Sequence, residues 1–346
     1  MENIDSQHIR MEKILTAAIV IIMTIAIGFA LFWLKTILMP FFVAVILAYI
    51  FSPIIENLAK IKIPRAFSII VLFILTFVLI TWLGGYLFDN INELVVNWPQ
   101  MQIGLEHNLE IYASKMNLNS HNVLVFLKNS IKSISFAEYG LTIITSSVFF
   151  LGNVLITLLF MVFLLFSAHT FPEKIHAAFS EKKAQRINKV IKKINAQIQK
   201  YLLIKTIISL STGATVYLIL LAFDIKFAFL WGALTFSLNY IPNIGDFLAG
   251  VPPVLTAFLQ YGLTKALIVL VILICIQFIY GNIIETLVIG KKLNLSPIVV
   301  LLSLLFWGWL WGIVGAIISV PLMAVIKIVF INIKGLEPIA ILMSEK

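Results

Sequence analysis

Asn239, Pro242, Asn243, Gly245 and Asp246 stand together at the midpoint of FAFLWGALTFSLNYIPNIGDFLAGVPPVLTAFLQ, residues 227–260. The two amides and the carboxylate offer oxygens to a cation, a proton or a polar solute, and Pro242 stops a helix from running through them. A second group lies in YGNIIETLVIG, where Glu285 follows Gln277 and Asn282 by roughly two turns and one turn. An ionisable side chain within an apolar segment is costly, and its default reading is functional. Structural alternatives stay open at both places. Asp246 can cap a helix that Phe247 opens, and Glu285 can sit at an interface beside Lys291 or Lys292. The histidines, His8, His107, His121, His169 and His176, have no metal-ligand spacing. Phosphate-loop, nucleophile-elbow and H-E-x-x-H motifs are missing, so neither catalysis nor a metal or cofactor is expected.

The elements that must hold these residues are membrane helices. The 346 residues are 61% hydrophobic and 12% charged, with mean hydropathy +1.05. That composition and its long apolar runs predict an all-α polytopic protein with six or more spans, not a barrel of short alternating strands. Cys275, the single cysteine, excludes an intramolecular disulfide. Spans are expected at 14–34, 37–55 and 66–88, within an N-terminal unit 1–88, and again at 141–167. Between them, 89–140 is polar and mildly acidic, with apolar residues at helical spacing. It is expected to form amphipathic helices outside the cytoplasm. Residues 170–201 predict a basic amphipathic helix with Lys182, Lys183, Arg186, Lys189, Lys192 and Lys193 opposite an apolar face from Ile187 to Tyr201. Residues 182–193 suit an anionic lipid surface, but a solvated cytoplasmic connector predicts the same charge.

The net charge of +9 does not imply nucleic acid, because the cations concentrate in a few loops. The basic loop at 56–65 and the basic helix place the N-terminus and C-terminus in the cytoplasm and 89–140 outside. Spans at 202–223 and 264–287 then frame two broken segments within 202–333, with 334–346 as a cytoplasmic tail. The flanks of the 227–260 break are each too short for the roughly 20 residues a span needs. A re-entrant hairpin is therefore expected. Residues 295–333 are broken likewise, by Gly308, Gly312 and Gly315, with Pro321 following, and predict a second hairpin entering from the cytoplasm. FLWGAL resembles LFWGWL, and IGDFLAGVP resembles VGAIISVP. Paired Gly/Pro-interrupted segments suggest an inverted repeat around a transport site, against the alternative of coincidence. The Pro252-Pro253 pair is expected to interrupt helix as well.

Several pieces carry a family resemblance: YLLIKTIIS from Tyr201, FDIKFAFLWG from Phe223, NYIPNIG from Asn239, VPP from Val251, GNIIE from Gly281, LSPIVVLLSLLFWGWLWG from Leu295 and SVPL from Ser319. They resemble the AI-2E family of bacterial permeases, most closely its autoinducer-2 exporter branch. The resemblance implies a multi-pass inner-membrane homo-oligomer that exports the quorum-sensing signal autoinducer-2. Other members are described as Na⁺(Li⁺)/H⁺ antiporters. The sequence departs from the family pattern at Thr286, where proline is usual, and at Asp246, where a small residue or proline is common. An added acid at the hairpin tip suits cation coupling. Three functions stay open: a secondary transporter of a small polar solute, a Na⁺/H⁺ antiporter using Asp246 and Glu285, and a membrane scaffold binding a partner through 89–140.

Overall fold

The computed structural model describes residues 2–115, 137–242, 244–289, 294–333 and 335–345. Asn243, Lys291, Lys292, Lys334 and the stretch 116–136 lie outside the described residues. The helices are α1 (Glu2–Trp33), α2 (Lys35–Lys60), α3 (Arg65–Lys115), α4 (Ala137–Ala178), α5 (Glu181–Ala222), α6 (Ala228–Leu238), α7 (Ile244–Tyr261), α8 (Leu263–Gln277), α9 (Glu285–Ile289), α10 (Pro297–Asn332) and α11 (Glu337–Leu342). A π-helical stretch, Phe278–Ile284, joins α8 to α9. Among the described residues six helices are long and apolar enough to cross a membrane, so the chain is an all-α polytopic membrane protein.

Three boundaries differ from the sequence expectation. Residues 170–178 continue α4, so the basic helix expected over 170–201 begins only at Glu181. α3 does not stop near 88 but runs 51 residues, about 77 Å at 1.5 Å per residue. Its far end packs on the bundle: Met101 joins the core around Val216, Trp231 and Ala257, and the Asn108 amide donates to the Phe258 carbonyl at 3.0 Å. The basic helix and the following span are likewise one helix, α5, of 42 residues. Neither junction holds a residue that would stop a helix, so the change from polar to apolar leaves the backbone hydrogen bonds unbroken.

Both broken segments fold back on themselves. α6 and α7 are antiparallel arms, and the chain turns between them from Asn239 to Pro242. Length alone counts Pro297–Asn332 among the six spans, but Gly312 (φ 63°, ψ −145°) folds it into two arms. The Ser303 hydroxyl reaches the Ser319 carbonyl at 3.1 Å, whereas sixteen residues of straight helix would separate them by about 24 Å. The turns share one device. A Cβ on Gly245 would lie 1.8 Å from the Leu238 carbonyl oxygen, and one on Gly315 would lie 1.9 Å from that of Trp307. Only glycine permits such an approach. This supports the match of IGDFLAGVP with VGAIISVP. It does not support the match of the Trp-Gly pairs, because Trp307 sits at the second turn while Trp231 lies midway along an arm.

The two tips meet. Leu238, Ile241 and Ala249 of the first hairpin share an apolar cluster with Leu304 and Ala316 of the second. The second hairpin also leans on the N-terminal helices: Trp307 and Trp311 pack with Leu31, Leu38 and Phe42, and the Trp311 indole donates to the Leu31 carbonyl at 3.1 Å. The Trp-rich run is thus packing material. Pro252 and Pro253 correct another expectation, since α7 passes through both. A proline φ is already helical, so the cost is confined to lost hydrogen bonds and local crowding. The break lies upstream, at Pro242. Pro321 is also inside a helical arm, so in the second hairpin the break belongs to Gly312.

Candidate functional site

The first hairpin ends in a polar pocket against α5. Asn239 is buried, 4% exposed, and its amide donates to Thr212 Oγ1 at 3.4 Å. Tyr240 donates to Thr206 Oγ1 at 2.8 Å. Pro242 is half-buried in the turn, and the Gly245 N–H closes it on the Ile241 carbonyl at 3.1 Å. Asp246 follows in the first turn of α7, where a carboxylate is favoured by the positive end of the helix dipole. Its environment goes beyond capping. The Gln277 amide donates to the Asp246 carbonyl oxygen at 2.5 Å, and Asp246 Oδ2 would lie 3.3 Å from a Cβ on Gly281. A side chain at 281 would crowd the carboxylate, so the glycine leaves it room.

The decisive contact is one the sequence reading did not name. Lys205 of α5 is 2% exposed, and its ammonium donates to both oxygens of Glu285, at 2.8 and 2.7 Å. The Glu285 side chain keeps 25% exposure. Glu285 therefore pairs across the bundle, eighty positions away in sequence, rather than with a neighbouring lysine. Asp246 is close enough for the charges of Lys205 and Glu285 to act on it. Tyr201 lies within electrostatic reach of Glu285 and Tyr240. One cation thus faces two carboxyl groups in a partly buried setting, so that with both ionised one negative charge would be in excess. Burying such an excess is expensive unless a proton or a cation balances it.

The π-helical stretch explains how three residues of the continuous run from α8 to α9 reach this point. Gln277, Gly281 and Glu285 are four apart, and the wider turn of Phe278–Ile284 keeps them along the row facing Asp246 and Lys205. Such segments are short, strained and frequent at functional sites. Asn282 falls off the row and is exposed. Ser209, one turn beyond Lys205 on α5, is fully buried, and among the described residues its hydroxyl has no hydrogen-bond partner. The second hairpin supplies packing, with Gly308 within its first arm at 3.7 Å from Ala316 on a Cβ measure. Among the described residues no cluster could hold a metal ion through histidine, cysteine and acidic side chains.

The Lys205–Glu285 pair and Asp246 thus lie together beside the tip of the first hairpin, which packs on the second. The sequence model of the AI-2E family transporter matches residues 20–335. The chain belongs to the AI-2E family of transporters. The match covers both hairpins and every residue of the ion-pair cluster. The "AI-2 transport protein TqsA" of Escherichia coli (strain K12) is 33% identical over 327 residues, covering 89% of this chain and 90% of its own. A protein of Haemophilus influenzae, provisionally named a transport protein, is 32% identical over 310 residues, covering 84% and 85%. Another with a provisional transport name, from Bacillus subtilis (strain 168), is 27% identical over 322 residues, covering 87% and 85%. As an AI-2E family member with six candidate spans, the chain is a multi-pass membrane transport protein.

Proposed function

We propose that this chain is a secondary transporter of a small polar solute, with Lys205, Glu285 and Asp246 at the centre of its translocation site. The single observation that carries the reading is the buried Lys205–Glu285 pair beside Asp246, under the tip of the first hairpin. Charge of this kind at membrane depth has a high cost and little use in a scaffold. Autoinducer-2 is the first solute to try, on the strength of the Escherichia coli relative's name. The loop charges support a bacterial cytoplasmic membrane location with both termini in the cytoplasm. On that topology the α6–α7 hairpin is re-entrant from outside and the α10 hairpin from inside. The shared Gly245/Gly315 turn device and the touching tips support an inverted repeat. Homo-oligomerisation belongs to the same proposal.

A second reading has its own support. The negative charge in excess when both carboxyl groups are ionised suits Na⁺ or H⁺ coupling, either as antiport or as the drive for solute movement. Gln277 tethers the backbone at Asp246 rather than binding its carboxylate, which leaves the oxygens to a mobile ion. Proteoliposomes holding the full chain separate the readings. Autoinducer-2 efflux and Na⁺-driven pH change are measured side by side in wild type and in Asp246→Asn. Loss of pH change with solute efflux retained assigns Asp246 to ion coupling. Unchanged activity in both assays counts against the site.

A further inference from the structure

The charge-rich end of the bundle carries a different kind of site. There α2, α4 and α5 diverge around a cavity of about 580 Å³, and a second cavity of about 580 Å³ opens between α2, α3 and α4. The two share Ser52, Glu56, Leu165, Ala168 and Pro172, so they form one forked space around α4. Each has a volume in the range of small-ligand sites, roughly 300–1,000 Å³.

Its α2 wall is graded from apolar to charged, passing from Val45 and Ala48 to Ser52 and Glu56, over about 16 Å of helix. The α4 wall is largely apolar, with Leu164, Leu165, Ala168, Phe171 and Pro172 beside Ser167. The polar groups deeper in the space are already engaged with each other. The Tyr49 hydroxyl donates to Asn195 Oδ1 at 2.7 Å, and the Gln199 amide donates to the Tyr49 carbonyl at 3.5 Å. At the mouth, Lys192 lines one branch and Arg65 the other. Glu56 opposes them, with its carboxylate accepting from Ser52 at 3.3 Å.

We propose that this forked cavity binds an anionic phospholipid. Its acyl chains lie along Val45, Ala48 and Leu164, and its headgroup phosphate is drawn to the mouth by Lys192 and Arg65. The surroundings favour a membrane lipid over a soluble amphiphile. Phe166 and Phe171 expose 45% and 50% of their surface beside the cavity, which suits acyl chains. Lys182, Lys183, Arg186, Lys189 and Lys193 are all exposed on the same helix as Lys192, adding attraction for anionic headgroups. The site is separate from the Lys205–Glu285 cluster, so it stands or falls independently of the transport reading.

Native mass spectrometry of the purified full chain, titrated with phosphatidylglycerol or phosphatidylcholine of equal acyl length, tests this. Phosphatidylglycerol is expected to bind more tightly. Arg65→Gln and Lys192→Gln should each weaken it by about fivefold, the effect of ~1 kcal/mol per cation at a membrane surface, and leave phosphatidylcholine unchanged. Both side chains are exposed, so folding is not at stake. Ala48→Phe, which fills the apolar end, should weaken both lipids. Equal binding of the two lipids, or full phosphatidylglycerol affinity in the double charge variant, overturns the proposal. Displacement of the lipid by millimolar inorganic phosphate alone would do the same, by reassigning the mouth to a soluble anion.

Discussion

Replacing Lys205 by methionine strikes the site at its tightest contact. The ammonium is nearly dry, at 3% side-chain exposure, and makes two short bonds to a carboxylate that retains 25%. Removing one member of a buried pair costs about 3–5 kcal/mol, chiefly because the other charge is stranded. Water reaching Glu285 relieves part of that load, while Asp246 adds a second carboxylate without a cation. A loss near the lower limit, about 3 kcal/mol, is therefore expected. Adding Glu285→Gln removes the stranded charge and should return about 2 kcal/mol, so the double variant is more stable than Lys205→Met alone. Urea unfolding of the detergent-solubilised chain, followed by tryptophan fluorescence, measures the cycle. Single-variant effects that add to within about 0.3–0.5 kcal/mol would show that the two side chains do not interact, and would refute the pair as described.

The glycine positions separate clash from strain. Gly245→Ala and Gly315→Ala each drive a Cβ to within 2 Å of a backbone carbonyl that cannot rotate away, so both should prevent recovery of monodisperse protein on size exclusion. Gly85→Ala, with open space around its Cβ, should be neutral or stabilising by about 0.5–1 kcal/mol in the urea assay. Gly312→Ala meets no neighbour but must hold φ 63° and ψ −145°, a region close to glycine-only, which costs about 1–3 kcal/mol without loss of recovery. Cysteines at Ser303 and Ser319, in a Cys275→Ser background, should be joined by a short bifunctional thiol reagent. No joining would indicate a continuous helix with the two positions about 24 Å apart.

The sequence exposed the hairpin tip because its signals are local. Proline, glycine and an acid within eight residues contradict an apolar run, and at Gly312 three glycines, Gly308, Gly312 and Gly315, do the same without an acid. Lys205 escaped because its meaning is non-local. Read along the chain it is the last cation of a basic helix, and only the packing of α5 against α9 turns it inward. A clue was present, since Lys205 precedes an apolar run to Ala222 and Glu285 needed a partner within the membrane. The π-helical stretch left no sequence mark, so helical spacing grouped Asn282 with Glu285 where the structure aligns Gly281. Pro252 and Pro253 misled in the opposite direction, because proline in a helix weakens bonds without always ending the element. Where α3 and α5 continue past the apolar region, composition changed while backbone geometry did not.

The most direct measurement is flux through proteoliposomes containing Lys205→Met, Glu285→Gln or Asp246→Asn, each first shown to be monodisperse. The cluster account predicts that Glu285→Gln and Lys205→Met abolish solute efflux. It predicts that Asp246→Asn removes its dependence on Na⁺ or proton gradients. Wild-type efflux with unaltered ion dependence in all three folded variants would contradict it.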